Sequence, residues 1–590
     1  MAENEALERV GNGPYRPLNK DAREIRLLRL EPGTFEDDLH ISLEVVSLDH
    51  RPNYEALSYV WGTIRSPRPI LVNGHPMKIT ENLDCALRYL RYREAFPHVL
   101  WIDALCINQK NLEERSHQVN LMSGIYAGAS DVLIWLSPHA NQFNRLMRYL
   151  TYHVLPTSSQ DHWELFKEIV RLSKLSWFSR VWVAQELVLS TNDPICCLGC
   201  RIFRWSTSVQ HISELLQLIM KTAIPDQHTT AADAAHDLLA ILTMFNLVEL
   251  RNESARQSLW EVLQRTLRLE ASDPRDKVYG VLGISKLAKP LNPDYTLSAK
   301  VVFARAVATM VQENEVRFYI DTPLQIREIE TSEFSPDELS WVPDFAAWSR
   351  SLSDQQFPRP DYVIRSSLLQ ASWLELRKRM TADTCVARVC DDYRILYVTG
   401  RILGAVTWKA RPVLTDVKET LCWIHEIYND LLKVQSISSL GFFEVLEGIQ
   451  ERWEYYGGVP GLDDRFLTFG EFLAFPSPLD EETLNTYLPS LLKTAEYVNH
   501  GTFFLTDQGQ LGRSYHPRTD GILPGDLLVG LFGIDMPFLL RPQDDGKHRM
   551  INVAFVVDHV WGAMPGYEEH LPKEDWSNLE ELGLRTFEIV

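Results

Sequence analysis

No run of the 590-residue sequence is apolar for long enough to cross a bilayer. The longest, about Leu238–Val248, is interrupted by Thr243 and Asn246, and a spanning helix needs about 20 apolar residues. The stretch Met1–Asn19 is polar, carries acidic residues and has no apolar h-region, so no secretory leader is expected. Cysteine is sparse: Cys85, Cys106, Cys196, Cys197, Cys200, Cys385, Cys390 and Cys422 are irregularly spaced. That spacing suits free thiols in a reducing compartment better than a disulfide framework, and a soluble, cytoplasmic protein is expected. Basic residues are in deficit, 59 against 79 acidic, for a net charge of −20, and no Lys/Arg block stands out. An acidic chain repels phosphates, so no nucleic-acid partner is expected. Gly-x-x-x-x-Gly-Lys-Ser/Thr, His-Glu-x-x-His and Gly-x-Ser-x-Gly are all missing, which removes support for NTPase, zincin and α/β-hydrolase chemistry. Internal repeats are missing as well. Cys197-x-x-Cys200, with Cys196 and His211 near in sequence, is one pair where a structural zinc needs four ligands. No metal is expected and no cofactor is required.

What is present is globular. Hydrophobic residues make up 45% of the chain and tryptophan alone contributes 16, a composition unlike that of a disordered chain. A single core stops growing near about 250–300 residues, so two to four domains are expected. Ile25–Leu30 and His40–Leu48 read as strands around the Pro32-Gly33 turn. Tyr54–Trp61 reads as a strand stopped by Gly62. Asn73-Gly74 between Ile70–Val72 and Met77–Ile79 reads as a type I′ hairpin. Asn82 caps a helix with Leu83, Leu87 and Leu90 on one face. Val99–Ile107 is nearly all apolar and reads as one strand buried on both faces. A helix from about Asn111 follows, with Val119, Met122, Ile125, Tyr126 and Ala129 as its buried stripe, then a strand at Asp131–Leu136. Strand–helix–strand alternation predicts a doubly wound α/β unit. After a helical stretch to about Leu189, Ile195–Trp205 reads as a β-ribbon.

Three segments carry more than periodicity. They are Tyr54-Glu55-Ala56-Leu57-Ser58-Tyr59-Val60-Trp61-Gly62, then Trp101-Ile102-Asp103-Ala104-Leu105-Cys106-Ile107-Asn108-Gln109 with its continuation from Glu114-Arg115 through Gln118 to Ala129, and Trp177-Phe178-x-Arg180-Val181-Trp182-Val183-x-Gln185-Glu186. In wording and order they resemble the heterokaryon-incompatibility (HET) domain family of filamentous fungi. Asp273-Pro274-Arg275-Asp276-Lys277-Val278-Tyr279, Ser340-Trp341-Val342-Pro343-Asp344 and the β-rich Gly501–Gly562 resemble elements found downstream in such proteins.

The resemblance implies a signalling effector of nonself recognition and programmed cell death, self-associating or meeting another incompatibility-pathway protein. The family is distantly similar to TIR domains, some of which cleave NAD at the nicotinamide–ribose bond with a glutamate on a helix after the third core strand. On that likeness Glu186 is the candidate catalytic residue and NAD the candidate substrate. The candidate pocket is Ser58, Tyr59, Trp61, Asp103, Arg180 and Trp182, with the Trp101–Gln109 strand as a wall. Trp61 or Trp182 would stack on a base or the nicotinamide ring, and Arg180 would hold a pyrophosphate.

Each residue also has a plain structural reading. Glu186 either acts on a ligand or pairs with Arg180 or Arg115 to orient helices. Trp61, Trp101, Trp135 and Trp182 are otherwise core. Asp103, inside an apolar run, needs partners and is either a hydrogen-bond hub fed by Ser58 and Tyr59 or a pocket residue. Arg115 and Gln118 read as a solvated helix face. A non-enzymatic interaction module and a diverged, inactive family member are the alternatives to an NAD-cleaving effector.

The expected organisation is a flexible arm at 1–20, a TIR-like HET domain at 21–205 with its motif core at 54–190, a mainly helical region at 206–345, a β-containing segment at 346–410, a helical segment at 411–500, a β-rich region at 501–570 and an acidic tail at 571–590. If the downstream regions restrain the first domain, a chain ending near Trp205 is more toxic than the whole.

Overall fold

The computed structural model describes residues 14–93, 98–153, 158–221, 231–253, 257–287, 290–312, 339–343, 345–346, 387–410, 416–434, 442, 445–446, 462–498, 502–514, 521–531, 537–556 and 585–590. Residues 1–13 of the expected arm, Asp344, most of segment 346–410 including Cys385 and residues 571–584 of the tail lie outside the described residues. The chain divides into two compact units, Met1–Val302 and Phe303–Val590.

The first unit is mixed α/β. In chain order it holds β1 (Glu24–Leu30), β2 (His40–Ser47), β3 (Glu55–Tyr59), β4 (Ile70–Val72), β5 (His75–Met77), α1 (Glu81–Arg93), β6 (His98–Trp101), α2 (Asp103–Cys106), α3 (Leu112–Gly128), β7 (Asp131–Ser137), α4 (Asn144–Tyr152), α5 (Ser159–Ser173), α6 (Trp182–Val188), β8 (Ile195–Leu198) and β9 (Arg201–Arg204). The helices α7 (Trp205–Lys221), α8 (Ala231–Glu253), α9 (Leu259–Thr266) and α10 (Asp276–Leu282) follow, and α11 (Ala299–Gln312) begins in this unit with most of its residues in the second. One nine-stranded sheet runs β5-β4-β2-β1-β6-β3-β7-β8-β9. Its centre, β6-β3-β7-β8, is parallel. In chain order those four strands lie 2-1-3-4, so the winding reverses at β3.

Local chemistry explains most of these elements. The β4–β5 hairpin turns through Asn73 and Gly74, both at positive φ, the conformation that Asn-Gly favours. Asn111 caps α3 by accepting from the Glu113 and Glu114 amides. Leu83, Leu87 and Leu90 are buried on α1. Asn82, expected as its cap, lies in the first turn instead. There it donates to the Val60 carbonyl at 2.6 Å and accepts from the Trp135 indole at 3.0 Å.

Three further expectations change. Val99–Ile107 is not one strand: β6 ends at Trp101, and the Leu105 and Cys106 amides turn back to the Ile102 carbonyl to make α2. The apolar run continues because α2 buries Leu105 and Cys106 as a strand would. Gln118 is buried rather than solvated, and its amide donates to the Glu24 carbonyl at 2.9 Å. The later part of the expected arm packs on the unit: Arg26 binds the Arg16 carbonyl, and Asn73 binds that of Pro14. Arg26, only 1% exposed, also makes a bidentate pair with Glu114 at 2.6 and 3.1 Å. Glu114 in turn accepts the Asn108 amide. A buried arginine held on both nitrogens by one carboxylate thus ties the motif loop to β1.

The second unit is built on β10 (Ala387–Val389) and the fifteen-residue β11 (Leu396–Ala410). The helices α12 (Val417–Val434), α13 (Leu462–Leu473) and α14 (Glu481–Val498) pack Leu421, Ile424, Phe469, Phe472 and Leu491 into one core. Then come β12 (Thr502–Thr506), β13 (Leu511–Ser514), β14 (Leu527–Leu531), β15 (Pro537–Pro542), β16 (His548–Val553), β17 (Phe555–Val556) and β18 (Arg585–Ile589). β11 pairs antiparallel with β10, β12, β14 and β18. The last part of the expected acidic tail is therefore a strand: Phe587 and Ile589 are buried, which outweighs the acidic composition around them.

Candidate functional site

In open α/β sheets, ligands collect at the carboxyl ends of the strands where the winding reverses. Here that place is the end of β3, with Ser58 and Tyr59. Beside it lie Asp103, just past β6, and Arg180 and Glu186, which arrive from the segment between β7 and β8.

Glu186 is the most constrained of these. Its side chain is 2% exposed. It accepts the Ser58 hydroxyl; the Tyr126 hydroxyl, which donates to the Leu57 carbonyl at 3.4 Å, lies near it, and the Arg180 guanidinium stands 3.7 Å away. The Ser58 oxygen itself accepts the Trp177 indole N–H at 2.7 Å. Burial pushes the Glu186 carboxyl up from the ordinary glutamate range, and Asp103 adds to the rise; Arg180, Ser58 and Tyr126 pull it back. Arg180 also donates to the Tyr59 carbonyl. It is occupied by protein groups in this conformation.

Asp103 opens α2 and retains contact with solvent. It accepts Trp61 Nε1 at 2.7 Å, the Ala104 amide at 2.7 Å and the Tyr59 hydroxyl. Burial raises its carboxyl too, against Arg180 and these donors. Gln109 donates to its carbonyl at 2.9 Å. Tyr59 thus feeds Asp103 as expected, whereas Ser58 turns to Glu186. Trp61, 41% exposed, is the one tryptophan of the motifs that presents much surface; Trp101 and Trp135 are core.

Trp182 goes elsewhere. Its indole donates to Asp276 at 3.0 Å, and Tyr295 donates to the other Asp276 oxygen at 2.6 Å. Burial raises the Asp276 carboxyl and the two donors oppose it. The Tyr295 ring is in reach of two guanidinium groups, Arg115 at 3.9 Å and Arg275 at 5.1 Å from its centre. Arg115 is 3.9 Å from Asp273, so it does not pair with Glu186. Nearby, Val181 N–H bonds to the Glu270 carbonyl at 2.9 Å and Gly283 N–H to Gln185 Oε1 at 3.1 Å. Residues 270–295 therefore brace the helix that carries Glu186.

Two members of the cluster were not singled out by sequence. Tyr126 reads only as part of a hydrophobic stripe, and nothing in its spacing marks the hydroxyl. Trp177 did leave a signal: a buried indole must find an acceptor for its N–H. Cys196 and Cys197 are buried in β8, and Gly199 turns the hairpin before Cys200. Among the described residues no group of three or more His, Cys, Asp or Glu is placed to hold a metal ion. No described helix is long and apolar enough to cross a membrane.

The family model described as heterokaryon incompatibility protein (HET) matches residues 54–186. Heterokaryon incompatibility protein 6, OR allele, of Neurospora crassa is 28% identical over 362 residues, covering 50% of this chain and 53% of that protein. The chain spans about half the length of this curated relative. No solved structure matches.

Proposed function

We propose, from the match of residues 54–186 to the heterokaryon-incompatibility family model, that the chain is an effector of heterokaryon incompatibility, acting in nonself recognition and cell death. We further propose that its chemistry is cleavage of NAD at the nicotinamide–ribose bond, on a TIR-like, doubly wound core. The observation that carries this reading is the clustering of Glu186, Asp103 and Arg180 around the end of β3, the reversal point of the 2-1-3-4 order. In the reaction the C1′–N bond breaks with both electrons leaving on the ring nitrogen, and water adds to C1′ with loss of a proton. Positive charge builds on the ribose, as in glycoside hydrolysis, and a carboxylate already in place stabilises it. Glu186 is that carboxylate. Arg180 is its present counter-ion, and a pyrophosphate that draws Arg180 away would free it. Trp61 offers the exposed ring for stacking.

A second reading is favoured by the near-complete burial of Glu186 and Ser58. On it the cluster is a structural hub, and the domain works by contact with a second copy of itself or with an incompatibility-pathway protein. Purified full chain, incubated with NAD at concentrations that permit self-association, separates the two. Nicotinamide release that Glu186→Gln abolishes supports catalysis. No release, with toxicity on expression retained by Glu186→Gln, supports the hub.

A further inference from the structure

Trp177 lies in a 3-10 turn, Ser176–Ser179, that delivers the chain from α5 toward α6. It is fully buried, with its ring against Phe178 and Trp205 at 5.1 and 5.7 Å. Packing explains the ring. It does not explain where the nitrogen points, which is the Ser58 oxygen at 2.7 Å.

A serine hydroxyl has one proton, and an indole N–H can only donate. With the indole proton on its oxygen, Ser58 must aim its own proton elsewhere, and the group in reach is Glu186 Oε2. We infer that Trp177 is a positioning residue for Glu186, whose indole N–H fixes the direction of the Ser58 hydroxyl so that it always donates to the carboxylate. The inference deepens the proposed role of Glu186 and rests on that reading for its functional meaning. Arg180, Asp103, Tyr126 and Tyr59 are the other charged or titratable groups around the carboxylate. Arg180 is the counter-ion and the Tyr126 hydroxyl donates to the Leu57 carbonyl, so the Trp177–Ser58 pair supplies the directed hydrogen bond to the carboxylate. An indole, unlike a second hydroxyl, cannot reverse its donor sense. The relay therefore has one polarity, and it favours Glu186 as an acceptor.

The relay is testable on the full chain without NAD. Indole N–H resonances of the 15N-tryptophan-labelled protein are followed across a pH series. One signal is expected to titrate with Glu186 and to lose that titration in Glu186→Gln. It should lose it equally in Ser58→Ala, keep it in Ser58→Thr, and be missing in Trp177→Phe. A signal that still follows Glu186 in Ser58→Ala, or no indole signal that responds to Glu186→Gln, overturns the relay. Should Trp177→Phe fail to fold, the two Ser58 variants decide the matter alone. If wild type releases nicotinamide, Ser58→Ala and Trp177→Phe should also displace its pH profile. Absence of NAD cleavage with an intact indole titration would count against the catalytic reading and leave the relay standing.

Discussion

The Trp182 indole nitrogen and the Asp276 carboxylate meet at 3.0 Å across 94 residues of sequence. The bond joins the helix of Glu186 to the segment Asp273-Pro274-Arg275-Asp276. Tyr295 occupies the second carboxylate oxygen, so Asp276 is a two-acceptor clamp. Asp276→Asn keeps one acceptor and turns an amide donor toward the other partner. It should lower stability by about 1–3 kcal/mol, the cost of an unmet buried polar group, as read from chemical denaturation. An unchanged midpoint would show that the clamp contributes nothing.

Arg26 is almost wholly buried, and Glu114 is the carboxylate that neutralises it. Removing one partner of such a pair leaves a charge without compensation, at about 3–5 kcal/mol. Glu114→Ala should show a loss of that order by denaturation, or fail to accumulate as folded protein. The double variant Arg26→Met/Glu114→Leu should recover much of it. A double variant as damaged as Glu114→Ala would mean that the Asn108 loop, not the charge, is what matters.

The raised Glu186 carboxyl has a definite sign in the pH dependence of stability. Its unfolded value is near about 4.3 and its folded value is higher because burial disfavours the charge. Between the two values the folded state binds more protons. The associated stability is thus present below the unfolded value and is lost as pH rises through the folded one. Glu186→Gln has no such loss. The melting midpoint of wild type minus that of Glu186→Gln should therefore decline as pH is raised from about 4. A difference that grows with pH would reverse the assigned direction.

A chain ending near Trp205 would lack Arg251, Glu270, Asp276, Gly283 and Tyr295, which brace the Glu186 helix from the later part of the unit. The expectation that such a truncation is more toxic than the whole chain gives way to a different one. Residues 1–302 should yield soluble, cooperatively melting protein, and residues 1–205 should yield little. Equal soluble yield from both would show that the braces are dispensable.

Where the pattern was short-range, the sequence was readable. The Asn73-Gly74 turn, the start of α3 near Asn111 and the stripe on α3 depend on neighbours within a few residues, and each stands where periodicity and turn chemistry put it; Asn82, inside α1 rather than capping it, is the exception. Asp103 shows the limit. A run such as Val99–Ile107 looks the same whether its second half is strand or one-turn helix, since either buries its Leu105 and Cys106. The candidate site was partly legible: Ser58, Tyr59, Asp103, Arg180 and Glu186 do come together. Trp182 does not join them because its partner, Asp276, is distant in sequence, and no local pattern encodes a contact of that range. Tyr126 stayed hidden because its ring satisfies the hydrophobic stripe while its hydroxyl, bonded to the Leu57 carbonyl, lies near the carboxylate.

The placement of β18 has a consequence in time. Leu396–Gly400 of β11 pair with Arg585–Ile589, and His548 of β16 meets Ile589 on the other side. The second sheet therefore stays open until residue 589 has been made, whereas the unit that carries Glu186 closes by residue 302. At about 5–20 residues per second, those units are separated by roughly 15–60 s of synthesis. During that interval every nascent chain holds the residues of the first unit without those that close the second sheet, so any control exerted by the later unit begins only once residue 589 has been made.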